Sequence, residues 1–357
     1  MRGFAGTCEG SLVIRISLEQ ASQNDKLAKP VFDMDGKMLL NSGVELNEAY
    51  LARLLEHGVS EVYVRAPNVH IAAGEDAISD ASRIELMACA HACVLAAQDN
   101  AALPARRVIE ALEGACDDAR RMRDMTAAVS PARSGRDWWE VHARNVAVLC
   151  VVTAQAIGLG QAEISHVGVG GLLHDVGLVG LSAEPLCTPQ QEVQAAGRGH
   201  PALGFQALIV DPGISANSAV VCLQHHERRD GSGFPKGLAG DHISLAAQVC
   251  AVADTYDLLI APAPFGSGVM PHLALRQLRA HNDLASPEAL DAFMQAAAPY
   301  PPGTMLRLSD ATTAVVAEPC AAGATAVRVC IVGNNGAAAT VDLDLARDAG
   351  VKTVEVL

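Results

Sequence analysis

Five of the chain's twelve histidines and two of its aspartates form a spaced series: His142, His174-Asp175, His200, His225-His226 and Asp254. A neutral imidazole and a carboxylate are the side chains that borderline divalent metals such as iron and manganese accept as ligands. One shared carboxylate can hold two such ions about 3.5–4 Å apart, flanking a bridging hydroxide. The series therefore reads as a two-metal hydrolase site.

Local context supports that reading piece by piece. Gly170-Gly171-Leu172-Leu173-His174-Asp175 ends an apolar helical run in two ionisable groups, which are costly to bury unless paired or metal-bound. Their adjacency lets one backbone turn send the imidazole to one ion and the carboxylate between both. His200-Pro201-x-x-Gly204 is a further candidate ligand position. His225 and His226 are neighbours, and neighbouring helical residues point about 100° apart, so both reach one ion only near a helix end. The turn-rich Asp230-Gly231-Ser232-Gly233-Phe234-Pro235 supplies such an end. Asp254 is an acid inside the apolar pattern Val252-Ala253-Asp254-Thr255-Tyr256, and so a buried-ligand candidate. By contrast, His57, His70, His91, His166, His272 and His281 read as hydrogen-bonded or surface residues.

The elements that must position these residues are mostly helical. Hydrophobic residues make up 50% of the 357 positions but aromatics only 3%, so the core is built from Ala, Val, Leu and Ile on closely packed helices. Residues 1–75 read as a small mixed α/β module. It has strands either side of the Asp35-Gly36 turn, a helix from Leu46 to Gly58 carrying Leu51, Leu54 and Leu55, a strand from Val59 to Val64, and a linker over 66–74. Residues 79–128 read as a helical connector, broken at Leu103-Pro104, through which two copies of the chain could pair. Residues 129–299 read as the main helical domain, entered through a polar stretch over 130–136. Residues 300–357 read as short strands: Met305–Leu308, Thr312–Ala317, Ala326–Val332 and Ala338–Leu343, with an Asn335-Gly336 turn.

A net charge of -14 argues against a polymeric nucleic acid as partner. It leaves room for a small anion, because bound metals add positive charge that the formal count omits. Ten scattered cysteines without a C-x-x-C pair point to reduced thiols and a cytoplasmic setting. No signal-peptide pattern is present, and the apolar run from Asn145 to Gln161 is too short for a bilayer, so no membrane span is expected.

His142-Ala143-Arg144-Asn145-Val146, His174-Asp175-Val176-Gly177, His200-Pro201-Ala202-Leu203-Gly204, His225 to Pro235 and Val252 to Asp257 together resemble the HD-GYP family of HD-domain phosphodiesterases. The resemblance spans roughly residues 120–300. It implies a mainly α, HD-domain helical bundle, with His174 and Asp175 at the centre of catalysis. One ion would be held by His142, His174, Asp175 and Asp254, and a second by Asp175, His200, His225 and His226. The implied cofactors are two divalent ions, iron or manganese. The implied reaction opens cyclic diguanylate to linear pGpG, with GMP as a further product. Substrate would lie against Arg228, Asp230, Gly231, Gly233, Phe234, Pro235 and Lys236; Phe234 stands where the family usually has tyrosine.

Two departures remove three cations from the anion grip that the resemblance implies. Leu178 replaces a lysine just after the His-Asp motif, and Ala263-Pro264-Phe265-Gly266 replaces a segment with two arginines. A charge-assisted hydrogen bond is worth roughly 1.5–3 kcal/mol. Trp138 also replaces a glutamate that binds a third ion in some members, and Glu140 is out of register, so two ions are expected. Alternative readings follow: a catalytically weakened member acting as a sensor or docking module for diguanylate cyclases or other signalling proteins, or a phosphohydrolase for another phosphoester.

Overall fold

A computed structural model describes residues 13–65, 77–99, 101–122, 127–129, 138–179, 198–261, 268–281, 283–308, 310–319, 326–332, 338–344 and 353–356. The expected linker over 66–74, the polar stretch over 130–136 and the Asn335-Gly336 turn lie outside these residues.

In the N-terminal unit, β1 (Val13–Ser17) pairs antiparallel with β4 (Glu61–Arg65), and β2 (Val31–Phe32) with β3 (Met38–Leu40). Gly36, with φ of 80°, turns the chain between the latter two, a left-handed conformation that glycine adopts without strain. The helix expected from Leu46 runs as α1 (Glu48–Glu56), because the Asn47 side chain accepts the Tyr50 N–H at 2.8 Å and caps it. Leu54 is its buried leucine, whereas Leu55, expected on the same face, is 53% exposed. Leu18, Leu27, Val31, Leu46, Leu54, Val62 and Val64 form a separate small core.

The largest core is helical. α2 (Asp80–Gln98) and α3 (Ala105–Arg121) are parted at Pro104. They are followed by α4 (Trp138–Ile157), α5 (Gln161–Leu173), α6 (Val176–Val179), α7 (His200–Ile209), α8 (Ala216–Gln224), α9 (Leu245–Ile260), α10 (Pro271–Ala280) and α11 (Pro287–Ala296). Ser79, Ser215, Ser244 and Ser286 cap α2, α8, α9 and α11 with their side-chain oxygens. α4 lies at the centre, packed on α2, α5, α9 and α11, with Val146 to Val151 fully buried. α2 and α3 share this core rather than standing apart from it. Two short parallel strands, β5 (Ala127–Ala128) and β6 (Ala297–Ala298), join its two ends. Among the described residues no helix is long and apolar enough to cross a membrane.

The C-terminal strands form an antiparallel sheet ordered β10-β9-β8-β7-β11, where β7 is Met305–Leu308, β8 Thr313–Pro319, β9 Ala326–Val332, β10 Ala338–Asp344 and β11 Thr353–Val356. Leu306 and Leu308 turn inward while Arg307 faces out, the two-residue alternation of a half-buried strand. Leu306, Leu308, Ala314, Val316, Val327, Val329, Leu343 and Tyr300 form its own core.

Candidate metal centre

Helix ends deliver most of the predicted ligands. α5 carries three glycines on packed faces: a Cβ on Gly168 would come within 2.6 Å of Leu112, on Gly170 within 2.5 Å of Val221, and on Gly171 within 2.8 Å of Cys150. Their absence of side chains lets α5 sit against α3, α8 and α4. That close approach brings His174, at the helix C-cap, and the following Asp175 into the centre. His200 opens α7, and His225 caps the end of α8, so the adjacent pair falls at a helix terminus as its geometry demands. His142 comes from the second turn of α4 and Asp254 from the interior of α9. His142, His174, Asp175, His200, His225 and Asp254 are all buried, and His226 retains some exposure.

The side chains converge on two adjoining points. Ligand atoms of Asp175, His200, His225 and His226 lie within 4.8 Å of one another, as do those of His142, His174 and Asp175. Asp175 belongs to both groups. Its Oδ1 is 3.3 Å from Nε2 of both His200 and His225, and its Oδ2 is 3.2 Å from His174 Nε2 and 3.8 Å from His142 Nε2. Asp254 Oδ1 stands beside the second group, 3.4 Å from His142 Nε2 and 3.9 Å from His174 Nε2.

Hydrogen bonds behind the rings aim them inward. His174 Nδ1 donates to Gly171 O at 2.8 Å and His225 Nδ1 to Cys222 O at 2.7 Å. A carbonyl only accepts, so these bonds fix the proton on Nδ1 and leave the Nε2 lone pair for the centre of a neutral ring. His142 Nδ1 meets Asp257 Oδ2 at 2.7 Å, and Asn145 Nδ2 donates to Asp257 Oδ1 at 2.7 Å. Asp257 and Asn145 were missed by sequence reasoning. Asp257 was visible only as a second acid three residues after Asp254, one helical turn on.

Nε2 atoms nevertheless face each other at 3.2 Å between His142 and His174, and at 3.3 Å between His200 and His225. Asp175 Oδ1 is buried without a hydrogen bond in the midst of them. Converging lone pairs around a shared carboxylate suit a cation, and this donor set fits borderline divalent ions. The imidazoles differ in basicity. Burial lowers the basicity of His142 and His174, but carboxylates outweigh it (Asp254 and Asp257 for the first, Asp175 for the second) and hold both imidazoles up at about 10. Burial pulls His225 and His226 down to about 3. Asp175 and Asp254, despite burial, stay below the usual carboxylate range because of the imidazoles around them.

The glycine-rich loop closes one side of the cage. Phe234 stacks on His226, with ring centroids 4.6 Å apart and planes 24° from parallel. A Cβ on Gly233 would come within 2.5 Å of His226 O, so the loop can lie against that residue only with glycine there. Gly231 takes φ of 82°, and Asp230 accepts the Ser232 N–H and hydroxyl at 2.9 and 2.6 Å. Glu227 accepts the backbone N–H groups of Lys236 and Leu238, both at 2.8 Å; Pro235 and Lys236 are exposed. The Arg228 guanidinium is turned to the carbonyls of His225 and Glu227 at 3.1 and 3.0 Å. Leu178 is buried at 2% exposure. Ala263 and Gly266 lie outside the described residues. Trp138 stacks on His142, with centroids 5.2 Å apart, and Glu140 is buried against His91 Nδ1 at 2.9 Å. A cleft of about 1060 Å³ lies elsewhere, between the N-terminal unit and α2–α4, and has none of the converging histidines among its lining residues.

Residues 122–286 match the family model described as HD domain. Over 189 residues the chain is 32% identical to cyclic di-GMP phosphodiesterase PA4108 of Pseudomonas aeruginosa, covering 52% of this chain and 46% of that protein. Over 150 residues it is 32% identical to cyclic di-GMP phosphodiesterase response regulator RpfG of Xanthomonas campestris pv. campestris, covering 40% and 39%. It is also 32% identical over 162 residues to 3'3'-cGAMP-specific phosphodiesterase 3 of Vibrio cholerae, covering 43% and 34%. The chain spans less than half the length of these curated relatives. The matched segment contains every residue of the histidine–aspartate centre, and this part of the chain is similar to HD-domain proteins, cyclic di-GMP phosphodiesterases among them.

Proposed function

We propose that this centre holds two divalent ions, iron or manganese, and hydrolyses cyclic di-GMP to pGpG, with GMP as a further product. The observation that carries the proposal is the pair of close Nε2–Nε2 approaches on either side of Asp175. His142, His174 and Asp175, with Asp254, would hold one ion; Asp175, His200, His225 and His226 would hold the other. Ions bound there lower the pKa of a water toward about 7 and offset charge on phosphoryl oxygens. The protein's own part is preorganisation. Gly171 O and Cys222 O hold two rings in the ligating tautomer, Asp257 fixes a third, and burial excludes bulk water from the anions.

Names of the relatives, cyclic di-GMP phosphodiesterases among them, support the substrate class, and cGAMP-specific relatives make a second cyclic dinucleotide the natural comparison. The buried Leu178, where the family has a lysine, favours a second reading: a member of reduced turnover used as a sensor or docking module, pairing with a second copy or with diguanylate cyclases. Separate hydrophobic cores support units bounded near residues 75 and 300. Free buried cysteines support a reducing, cytoplasmic setting. Elemental analysis of anaerobically purified protein, followed by turnover of cyclic di-GMP and 3'3'-cGAMP on the same sample, tests the reading. Two ions per chain and release of pGpG are expected. Fully loaded protein that leaves both dinucleotides intact would overturn it.

A further inference from the structure

We infer that Arg198 is a phosphate-binding cation of this site, taking up an anionic phosphoryl group of the substrate that the neutral residues at 178 and 263–266 leave without a partner. The inference rests on the hydrolase reading above. Arg198 sits in the exposed turn that leads into α7, two residues before the candidate ligand His200. Its guanidinium carbon lies 5.4 Å from the centroid of the Phe234 ring, and Phe234 is itself stacked on His226. Aromatic rings thus carry a positive charge to the rim of the cage, beside the one predicted histidine ligand that keeps some exposure. A cation over an exposed aromatic face is held weakly. It is biased toward the site and still able to swing onto an arriving phosphate, which a guanidinium can grip with two parallel hydrogen bonds.

Of the loop's other cations both arginines are committed, whereas Lys236 is exposed. Arg228 donates to two backbone carbonyls, and Arg229 lies 3.4 Å from the Asp241 carboxylate. Among the described residues no carboxylate pairs with Arg198. A chain of net charge -14 needs a local cation to draw a dinucleotide dianion to its metal centre.

Wild type, Arg198→Ala and Arg198→Lys, each loaded with manganese and checked for metal content, would be titrated with cyclic di-GMP, and KM and kcat measured where turnover occurs. Arg198→Ala is expected to weaken binding and raise KM by about tenfold to a hundredfold at unchanged metal content, and Arg198→Lys to recover part of the loss. An unchanged Kd and KM in Arg198→Ala, or a loss of metal with it, would overturn the inference. If the metal-loaded wild type binds no cyclic di-GMP, the hydrolase reading fails, and titration with inorganic phosphate judges Arg198 by itself. Weaker phosphate binding in Arg198→Ala then sustains an anion site, and equal binding removes it.

Discussion

Asp257 is fully buried, and both its carboxylate oxygens are engaged, one on His142 Nδ1 and one on Asn145 Nδ2. A carboxylate behind a ligating imidazole fixes its orientation and raises its basicity, and its loss typically costs ten- to a hundredfold in metal affinity. Asp257→Asn is therefore expected to loosen the ion on the His142 side by about that factor and spare the one on the His225 side, as read by chelator competition. The two sides should also respond differently to pH. His142 and His174 hold protons up to about 10, so an ion binding there displaces protons, and its affinity should climb steadily from neutral toward that value. His225 and His226, pulled down to about 3, are already neutral, so these two rings should contribute no proton release above pH 5. Calorimetric titration in buffers of differing ionisation enthalpy separates the two, and identical proton release from both ions would contradict this division. The candidate ligands were legible in the sequence because adjacent polar residues at the end of apolar runs are conspicuous. Their supporting partners were not: Asn145 reads as an ordinary helical residue, and the carbonyls of Gly171 and Cys222 carry no sequence signal at all. Arg198 was equally invisible, because a lone loop arginine acquires meaning only from the ring that the fold places beneath it.

Elements hold the site through close approach and capping. Gly170 lies where α5 meets α8, and a methyl group there would fall 2.5 Å from the Val221 Cβ. Overpacking of this kind costs about 1–3 kcal/mol. Gly170→Ala should lower the denaturation midpoint accordingly and displace His174, so reduced metal affinity is expected alongside reduced stability. At the start of α2 the Asp118 carboxylate accepts from Ser79 N at 3.1 Å and from the hydroxyls of Ser79 and Ser82, both at 2.6 Å, and pairs with Arg121. Burial raises its pKa, but these bonds outweigh that and leave it below the usual value near 3.8. A lowered folded-state pKa means the stabilisation is complete above the ordinary carboxyl range and lost as the pH falls through it. Asp118→Ala should cost about 1–3 kcal/mol near neutral pH and progressively less below pH 4, measured by urea unfolding. The helical character of residues 129–299 was readable from the sequence, but not the serine caps that start α9 and α11. β11 and the β5–β6 bridge were not readable either, because strands of two to four residues owe their existence to a partner about 45 to 170 positions away, at a separation that local propensity does not encode.

At the scale of the molecule, the three largest hydrophobic cores among the described residues lie in sequence along the chain: Leu18 to Val64, Ala77 to Ala297, and Tyr300 to Leu343. All seven candidate ligands fall in the second. A ligand that binds only the folded state stabilises by RT ln(1 + [L]/Kd), about 2.7 kcal/mol at a hundred times Kd, and it acts on the cooperative unit that contains the site. Chains with several cores commonly depart from a single two-state transition. For a unit of roughly 200 residues, 1 kcal/mol moves the midpoint by about 2–4 °C. Saturating manganese is therefore expected to raise the transition of the helical core by about 5–10 °C, while transitions arising from the N-terminal unit and the C-terminal sheet hold their temperatures. Differential scanning calorimetry with and without a chelator makes the measurement, and His174→Ala should abolish the shift. A uniform rise of every transition would mean that the small modules unfold together with the metal centre. The cleft of about 1060 Å³ between the N-terminal unit and α2–α4 would then lie inside one cooperative body, giving the module a direct energetic hold on the site.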